Sequence, residues 1–305
     1  MQTAYLILAH HQPNHLARLV RALDAPGCAF FIHIDAKTDE TIFKETVEPR
    51  NNITARSNIT FITDRREVNW AGFSVIEATL ALLSEALSFS SSLRRFCLLS
   101  GSDFPIKSNA QILADFNSTR EFMRVDRKLN SGENQPHNRF VNYYWFMDSG
   151  EANWRKHSGK LPRRPYGRIG LYHGSTWWAL TRDCIEYILE FVSSNDEYYK
   201  FFKNTFCPDE LVFHSIVKQS PFASRISHDF EVVSGQGEYF RSNEHGCHYI
   251  DWNTPSDTHP KVLDPHDLDK LLSSKALFAR KFDELRSGAL IAMLEDALTS
   301  TPPVP

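Results

Sequence analysis

Short apolar runs alternate with amphipathic stretches in the first third of the chain, and this alternation constrains the fold more than any other feature. The apolar runs predict strands, and stretches with apolar residues three and four positions apart predict helices. The predicted strands span residues 5–9, 29–34, 59–62 and 95–100, and the predicted helices span 15–23 and 74–87. This rhythm favours an α/β fold, with a central sheet of parallel strands flanked by helices.

Polar and turn-forming residues follow three of the predicted strands. They occupy positions 10–13, 33–37 and 100–105. In open α/β sheets, ligands bind at the carboxyl ends of the strands. The sequence therefore predicts a ligand site where these three segments meet.

The second half of the chain has a different character. Residues 127–168 are rich in Asn, Arg, Gly and Pro with scattered aromatic residues, which predicts long functional loops. Beyond them the pattern predicts strands at 174–180 and 249–252, helices at 182–192 and 208–217, and one or two helices within 264–296. No clear domain boundary is visible, so residues 1–298 are predicted to form one domain, followed by a tail at 299–305.

Composition excludes several classes of protein. The 305 residues are 42% hydrophobic with a net charge of -3, which argues against a disordered chain and against a protein that coats nucleic acid. The five cysteines form no CxxC pair, which favours buried free thiols in a reducing compartment. No apolar run approaches the roughly 18 residues of a membrane span. We expect a cytoplasmic protein with at most peripheral membrane contact.

Familiar motifs for phosphate or metal binding are missing from the sequence. It contains no Gly-rich phosphate loop, HExxH, zinc-ligand cluster or GxSxG elbow. The Asp-x-Asp pair Asp267-Leu-Asp269 lies in a polar helical stretch, and we interpret it as a solvated helix face rather than a cation site.

Seven segments, taken in order, resemble one enzyme family. They are Ala4-Tyr-Leu-Ile-Leu-Ala-His-His-Gln-Pro13, Phe31-Ile-His-Ile-Asp-Ala-Lys37, Val68-Asn-Trp-Ala-Gly-Phe-Ser74, Leu98-Leu-Ser-Gly-Ser-Asp-Phe-Pro-Ile-Lys107, Gly174-Ser-Thr-Trp-Trp-Ala-Leu-Thr-Arg182, Cys207-Pro-Asp-Glu-Leu-Val-Phe-His214 and Leu277-Phe-Ala-Arg-Lys-Phe-Asp283. The set resembles the core-2/I-branching N-acetylglucosaminyltransferase and peptide O-xylosyltransferase family, glycosyltransferase family 14, in a bacterial-type form. The resemblance spans residues 4 to about 283.

The resemblance implies a GT-A-type fold with a Rossmann-like mixed central sheet flanked by helices. It also implies a UDP-sugar donor and inverting transfer that forms a β-linkage, with no metal and no other cofactor. Residues 1–125 would then be the nucleotide-sugar-binding half, and residues 126–298 the acceptor-binding and catalytic half.

Glu210 is the candidate catalytic base. It follows Pro208-Asp209 in the first turn of a predicted helix, where a carboxylate is held rigidly, and the family places its base in this Pro-x-Glu motif. Inverting transfer needs one base on the acceptor hydroxyl. The alternative interpretation is an acid that complements the helix dipole. Asp209 is the poorer candidate and is expected to cap or orient.

Cationic side chains would have to stabilise the departing diphosphate in the absence of a metal. Arg280 and Lys281 match the family position, with Lys281 the direct match. Neighbouring residues on a helix cannot point the same way, so one should face phosphate and the other pack or pair, for instance with Asp283. The alternative is a solvated basic pair. For the second phosphate-binding cation the candidates are His248 and Arg241.

The remaining predicted contacts divide between donor and acceptor. Resemblance and strand-end position assign to the donor His10, Gln12, Pro13, Asp35, Trp70, Ser74 and Asp103. The predicted acceptor contacts are Trp177, Trp178, Glu121 and Arg124. Because side chains alternate along a strand, one of the two tryptophans should be core and the other an apolar wall for a sugar.

The sequence as a whole predicts an enzyme that moves a sugar from a UDP-sugar to a glycan or lipid-linked oligosaccharide, in the synthesis of a surface polysaccharide. UDP-N-acetylglucosamine and UDP-xylose are the favoured donors, while UDP-glucuronate, UDP-galactose and UDP-glucose stay open, because few pocket residues decide among them. Two alternatives also stay open. One is a protein that binds nucleotide sugars or glycans without turnover, and the other is a metal-dependent nucleotidyl- or phosphotransferase.

Overall fold

The computed structural model describes residues 2–47, 58–129, 136–164, 166–231 and 243–300. Within these ranges the strands are β1 (Gln2–Ala9), β2 (Cys28–Ile34), β3 (Ile59–Phe61), β4 (Leu93–Ser100), β5 (Phe104–Pro105), β6 (Glu121–Leu129), β7 (Leu171–Gly174), β8 (Ala179–Thr181), β9 (Ile226–Asp229), β10 (Glu244–His245), β11 (His248–Ile250) and β12 (Phe278–Arg280). The helices are α1 (Pro13–Leu23), α2 (Glu40–Val47), α3 (Ser74–Phe89), α4 (Asn109–Phe116), α5 (Arg139–Asn142), α6 (Ala152–Arg155), α7 (Arg182–Ser194), α8 (Asp196–Phe202), α9 (Val212–Val217), α10 (Leu268–Ser273) and α11 (Gly288–Ser300).

The main sheet has the strand order β3-β2-β1-β4-β8-β6-β7, and β9 pairs with β6. The four strands β3, β2, β1 and β4 are parallel, whereas β8 pairs antiparallel with both β4 and β6. The predicted α/β class and the mixed central sheet flanked by helices are confirmed. One sheet takes its strands from both halves of the chain, so residues far apart in sequence meet along one edge.

Alternate residues of β1 bury opposite faces of the sheet. Tyr5 and Ile7 belong to a buried cluster that includes residues of α1 and α11. Leu6 belongs to a second cluster that includes residues of α3 and α7, together with Trp178. Because both faces are covered, β1 is continuously apolar, which is typical of a central parallel strand.

A small second sheet with the order β10-β11-β12-β5 lies next to the turn after β4. Its strand β12 corrects the prediction of helices alone within residues 264–296, because the chain crosses between β11 and β5 before α11 begins. Arg280 therefore ends a strand rather than lying on a helix. The predicted solvated position of Asp267 is also wrong. Asp267 is buried, and its carboxylate accepts two hydrogen bonds from Lys261 Nζ at 2.8 and 2.6 Å.

The region predicted as long loops, residues 127–168, contains more regular structure than expected. Strand β6 runs to Leu129, and the short helices α5 and α6 follow within the described residues. Strand β7 pairs antiparallel with β6, with His173 opposite Arg127. No helix in the described parts of the chain combines the length and apolarity needed to cross a membrane.

Candidate active site

The carboxyl ends of β1 and β2 bring several ionisable groups together. Partial burial lowers the pKa of His10, Asp35 raises it, and Lys281 and Lys37 lower it again, so all three charges act on this imidazole. Asp35 is almost fully buried, and its carboxylate accepts hydrogen bonds from the Lys37 amide at 2.8 Å and the Val68 amide at 3.2 Å. Its carboxylate therefore fixes the loop that leads to Trp70, and direct contact with a nucleotide stays a prediction.

Gln12 and Pro13 connect this edge to the C-terminal part of the chain. Pro13 opens α1, where a proline costs no hydrogen bond. The Gln12 side-chain oxygen accepts a hydrogen bond from the Glu284 amide at 2.7 Å. The Phe282 amide likewise donates to the Ser102 carbonyl at 2.9 Å. These two bonds hold the segment that carries Lys281 beside the strand ends, as the ligand-site prediction requires.

The loop before α3 presents Trp70 to solvent with 77% of its surface exposed. Ser74, in contrast, is buried, and its hydroxyl donates to Asp148 Oδ1 at 2.6 Å. Asp148 also accepts from the Ser74 amide and from Asn69 Nδ2, so it caps α3 and fixes the loop. A cavity of about 460 Å³ opens beside this loop, and Ser74 and Asp148 contribute to its wall.

Asp148 was not singled out by the sequence, because it lies in the stretch predicted as loops and far from Ser74 along the chain. A local signal does exist at Gly72, where a Cβ atom would lie 2.3 Å from Asp148 Oδ1. Such a glycine indicates that another part of the chain approaches closely.

Asp103, His248 and Arg280 form a buried cluster behind the strand ends. Asp103 Oδ2 accepts the Ser100 amide at 2.8 Å and lies 3.2 Å from His248 Nε2. Its Oδ1 lies 3.7 Å from an Arg280 guanidinium nitrogen. The guanidinium stacks on the Trp177 ring at 4.2 Å from its centroid. This cluster fixes the end of β12 and the orientation of Trp177.

Two sequence predictions are corrected by this cluster. Asp103 and His248 are both 0% exposed, so neither reaches a donor sugar or a phosphate directly. The physical reason is that the acid satisfies a buried imidazole and a guanidinium, both of which would otherwise lack a counter-charge. Of the Arg280-Lys281 dipeptide, Arg280 is the residue that packs and pairs, and its partner is Asp103 rather than Asp283.

Lys281 is half-buried and has no ion-pair partner among the described residues. It contributes to lowering the pKa of both His10 and His11, which places its charge near the end of β1. It is thus the cation best placed to meet an anionic group at this edge. Arg241, the other candidate for the phosphate, lies outside the described residues.

Glu210 ends a 3₁₀ turn, Pro208–Glu210, just before α9. Its side chain is 31% exposed, and its Oε2 lies 3.1 Å from His173 Nε2. The turn contacts the loop before α3, because the Cys207 amide donates to the Ala71 carbonyl at 3.1 Å. Cys207 and Ala71 both have left-handed φ angles, 45° and 58°, a conformation that costs on the order of 1 kcal/mol per residue. This junction holds the predicted base against the loop that carries Trp70.

Asp209 is half-buried and accepts a hydrogen bond from Thr176 Oγ1 at 2.7 Å. Burial and the neighbouring Glu210 raise its pKa to about 6. Burial lowers the pKa of Arg280, and the negative charges of Asp103 and Asp209 oppose that fall. The turn that carries Asp209 and the end of β12 therefore lie close enough to belong to one site. The hydrogen bond to Thr176 fixes the Asp209 carboxylate, and its expected capping or orienting role stays a prediction.

His173 and Asp126 complete the surroundings of Glu210, and sequence reasoning missed both. His173 Nδ1 lies 3.3 Å from Asp126 Oδ2, and Arg124 Nε donates to Asp126 Oδ1 at 2.6 Å. Burial disfavours the charged imidazole, but the neighbouring carboxylates of Asp126 and Glu210 raise the pKa of His173 to about 9. The sequence does offer one signal for His173, because it directly precedes the Gly174-Ser-Thr-Trp-Trp segment that carries the family resemblance.

The predicted acceptor contacts separate in the structure. Glu121 is fully buried and both its oxygens accept hydrogen bonds from Thr181, because its carboxylate fixes the start of α7; the acceptor-contact prediction is corrected. Arg124 is 3% exposed and donates to Asp126 and to the Glu244 backbone carbonyl, so its buried side chain does not support the predicted acceptor contact. Trp178 is the core tryptophan. Trp177 lies at the site, stacked on Arg280.

Comparison with known proteins places these residues in context. The family model described as "Core-2/I-Branching enzyme" matches residues 3–272. The chain is 26% identical to a beta-1,3-galactosyl-O-glycosyl-glycoprotein beta-1,6-N-acetylglucosaminyltransferase of Bos taurus, over 92% of this chain and 65% of that enzyme. It is 24% identical to xylosyltransferase 2 of Mus musculus, over 97% of this chain and 33% of that one. The chain therefore spans less than two thirds of these curated relatives.

Among solved structures, the chain is similar to the galactosyltransferase LgtC in complex with donor and acceptor sugar analogues. The TM-score is 0.38 at 11% sequence identity, and the match covers 99% of this chain and 98% of that one.

Proposed function

Because the chain belongs to the Core-2/I-Branching enzyme family, we propose that it is an inverting glycosyltransferase that moves a sugar from a UDP-sugar to a hydroxyl of a glycan acceptor. The new linkage is β, and no metal ion takes part. UDP-N-acetylglucosamine and UDP-xylose are the first donors to test, since the relatives named above are an N-acetylglucosaminyltransferase and a xylosyltransferase. A surface polysaccharide or a lipid-linked oligosaccharide is the acceptor class we propose.

Glu210 is the general base in this proposal. The observation that carries it is the Cys207–Ala71 hydrogen bond, which holds the turn of Glu210 against the loop predicted to wall the nucleotide. One oxygen of the carboxylate is bonded to His173, while Oε1 has no hydrogen-bond partner among the described residues. A partly exposed carboxylate with one free oxygen can accept the proton of an acceptor hydroxyl as that hydroxyl attacks the anomeric carbon.

Lys281 stabilises the departing UDP. Its ammonium group is unpaired within the described residues and acts on His10 at the end of β1, whereas Arg280 is already engaged by Asp103 and Trp177. A fixed cation beside a developing diphosphate charge stabilises the transition state without a metal ion. Arg280 adds positive potential from the buried side of the site. Its stacking on Trp177 fixes the end of β12 and so holds the neighbouring Lys281 in place.

The test of the base is the Glu210→Gln variant. Transfer, followed as UDP release, should fall by ~10²–10⁴, while UDP binding and thermal stability stay at the wild-type values. Glu190→Gln, an exposed residue of α7, is the matched control and should leave transfer unchanged. Full activity of Glu210→Gln would reject the base assignment.

Screening UDP-sugars with mixed glycans distinguishes the enzyme from a protein that only binds nucleotide sugars. The enzyme releases UDP in a manner that depends on the acceptor, and Glu210→Gln abolishes that release. Tight UDP-sugar binding with no acceptor-dependent release from any donor favours the binding protein.

A further inference from the structure

His173 lies between two carboxylates, and each of its ring nitrogens faces one of them. Nε2 is 3.1 Å from Glu210 Oε2, and Nδ1 is 3.3 Å from Asp126 Oδ2. A neutral imidazole has one N–H donor, so one of these carboxylates would face a lone pair. Of the two nitrogens, Nε2 meets hydrogen-bond geometry on Glu210 Oε2, whereas Nδ1 lies within ion-pair distance of Asp126 and forms no hydrogen bond among the described residues. A positively charged imidazolium fits this position between two carboxylates, because it donates to Glu210 and offsets the charge of Asp126.

The elements packed around His173 support a single positive charge at this position. Burial and the charge on His173 lower the pKa of His137 to about 4, and likewise that of His214. Bonding to His173 and Arg124 keeps the pKa of Asp126 well below its usual range despite burial. The ionisable groups that face His173 come from β6, from the 3₁₀ turns at 136–138 and 208–210, and from α9: Arg124, Asp126, Arg127, His137, Asp209, Glu210 and His214.

The backbone holds His173 in this position. The next residue, Gly174, has no space for a side chain, because a Cβ atom would lie 1.9 Å from the Arg124 carbonyl oxygen and 2.5 Å from the His214 ring. Strand β7 can therefore approach β6 and α9 closely enough to bring the imidazole between Asp126 and Glu210.

We propose that His173, in its imidazolium form, is the positioning residue for Glu210, holding Oε2 so that Oε1 is the atom that takes the acceptor's proton. The inference rests on the proposed function and deepens it. The bond from the acceptor oxygen to the anomeric carbon forms as the bond from that carbon to the phosphate oxygen breaks. The acceptor proton moves to Oε1, and the electron pair of the broken bond leaves with UDP. His173 keeps its proton throughout.

A dependence on pH follows from this arrangement. As the pH rises through about 9, the pKa of His173, the imidazolium loses one proton and its positive charge, so the charge-assisted hydrogen bond that orients Glu210 becomes a weaker neutral one. The maximal rate, kcat, should therefore decline at alkaline pH, while binding of the UDP-sugar, which does not involve His173, should decline less.

The experiment compares the pH profiles of kcat for the wild type, His173→Gln and Asp126→Asn. A glutamine amide cannot bridge both carboxylates with a positive charge. We expect His173→Gln to lower kcat by about 10–100-fold, the cost of a misplaced base, to keep the wild-type KM for the donor, and to lack the alkaline decline. Asp126→Asn should move the decline to lower pH, because the imidazolium loses a counter-charge. Asp269→Asn, an exposed residue of α10, is the control and should match the wild type.

Several outcomes would overturn the inference. Wild-type kcat in His173→Gln is one, and an unchanged alkaline decline in Asp126→Asn is another. If His173→Gln does not fold, Asp126→Asn alone decides, since it retains the imidazole. The proposed function fails separately: a fully active Glu210→Gln removes the base itself, whereas an inactive Glu210→Gln combined with unaltered profiles in the other two variants removes only the role of His173.

Discussion

Two histidine–carboxylate pairs in the described part of the chain carry a raised imidazole pKa, and they differ in exposure to solvent. His248 is hydrogen-bonded to Asp103, and His173 lies at ion-pair distance from Asp126. Burial opposes a charge on either imidazole, but neighbouring groups raise the pKa of each to about 9: Cys247 and Asp103 for His248, Asp126 and Glu210 for His173. The Asp103 pair is completely enclosed, whereas the Asp126 pair reaches the surface through Glu210. The same residue types thus stabilise the fold at Asp103 and, in our proposal, orient the catalytic base Glu210 at Asp126.

Asp103→Asn should produce the largest loss of stability and so provides the strongest test of this contrast. Removing one partner of a buried ion pair leaves His248 and Arg280 without a counter-charge, and we expect a loss of about 3 kcal/mol in the free energy of unfolding, measured by urea denaturation. Asp115→Asn, an exposed acid of α4, should cost almost nothing. A wild-type denaturation curve for Asp103→Asn would contradict the structural role of the enclosed pair.

Lys281→Ala tests the open side of the site. Loss of a charged contact to a diphosphate, on the order of 1.5–3 kcal/mol, should weaken UDP binding by about 10–100-fold in isothermal titration calorimetry. Lys275→Ala, which changes an exposed lysine outside the proposed site, serves as the control and should bind UDP as the wild type does. Equal affinity of the two variants would remove Lys281 from the diphosphate site.

The stability contributed by His173 should depend on pH in a defined direction. Its pKa is raised from 6.5 to about 9 in the folded protein, so its contribution is complete below pH 6.5 and is lost as the pH rises through about 9. The difference in free energy of unfolding between the wild type and His173→Gln should therefore shrink across this range. A difference that grows with pH would mean that His173 is neutral in the folded state.

Chelation should have the smallest effect of all. Because we assign charge stabilisation at the diphosphate to Lys281, incubation with EDTA should leave the rate of UDP release unchanged. Loss of activity in EDTA with recovery on adding Mn²⁺ would contradict the metal-free mechanism. The strand-end carboxylates would then become the candidate metal ligands.

The parallel half of the sheet could be predicted from the sequence. Strands β1, β2 and β4 are apolar on both faces, and the amphipathic helices α1 and α3 follow their predicted spans closely. Local hydrophobicity decides these elements, and the chain order then places their carboxyl ends on one edge. The predicted ligand edge at residues 10–13 and 33–37 follows from that logic.

The antiparallel half could not be predicted in the same way. Strand β6 buries Glu121 and Arg124 among its apolar residues, so neither alternation nor a continuous apolar run reveals it. Strand β12 is three residues long and exists because β11 and β5 lie on either side of it. The partners of Glu210 were missed for the same reason, since His173 and Asp126 become neighbours only through the pairing of β6 with β7.

Asp148 makes two distant stretches of the chain mechanically dependent on each other. It belongs to the stretch between β6 and β7, yet it holds the first residue of α3 and Asn69, on either side of Trp70. Any displacement of Asp148 breaks its bonds to both residues at once, so the positions of residues 146–149 and of the loop that carries Trp70 are coupled through one carboxylate.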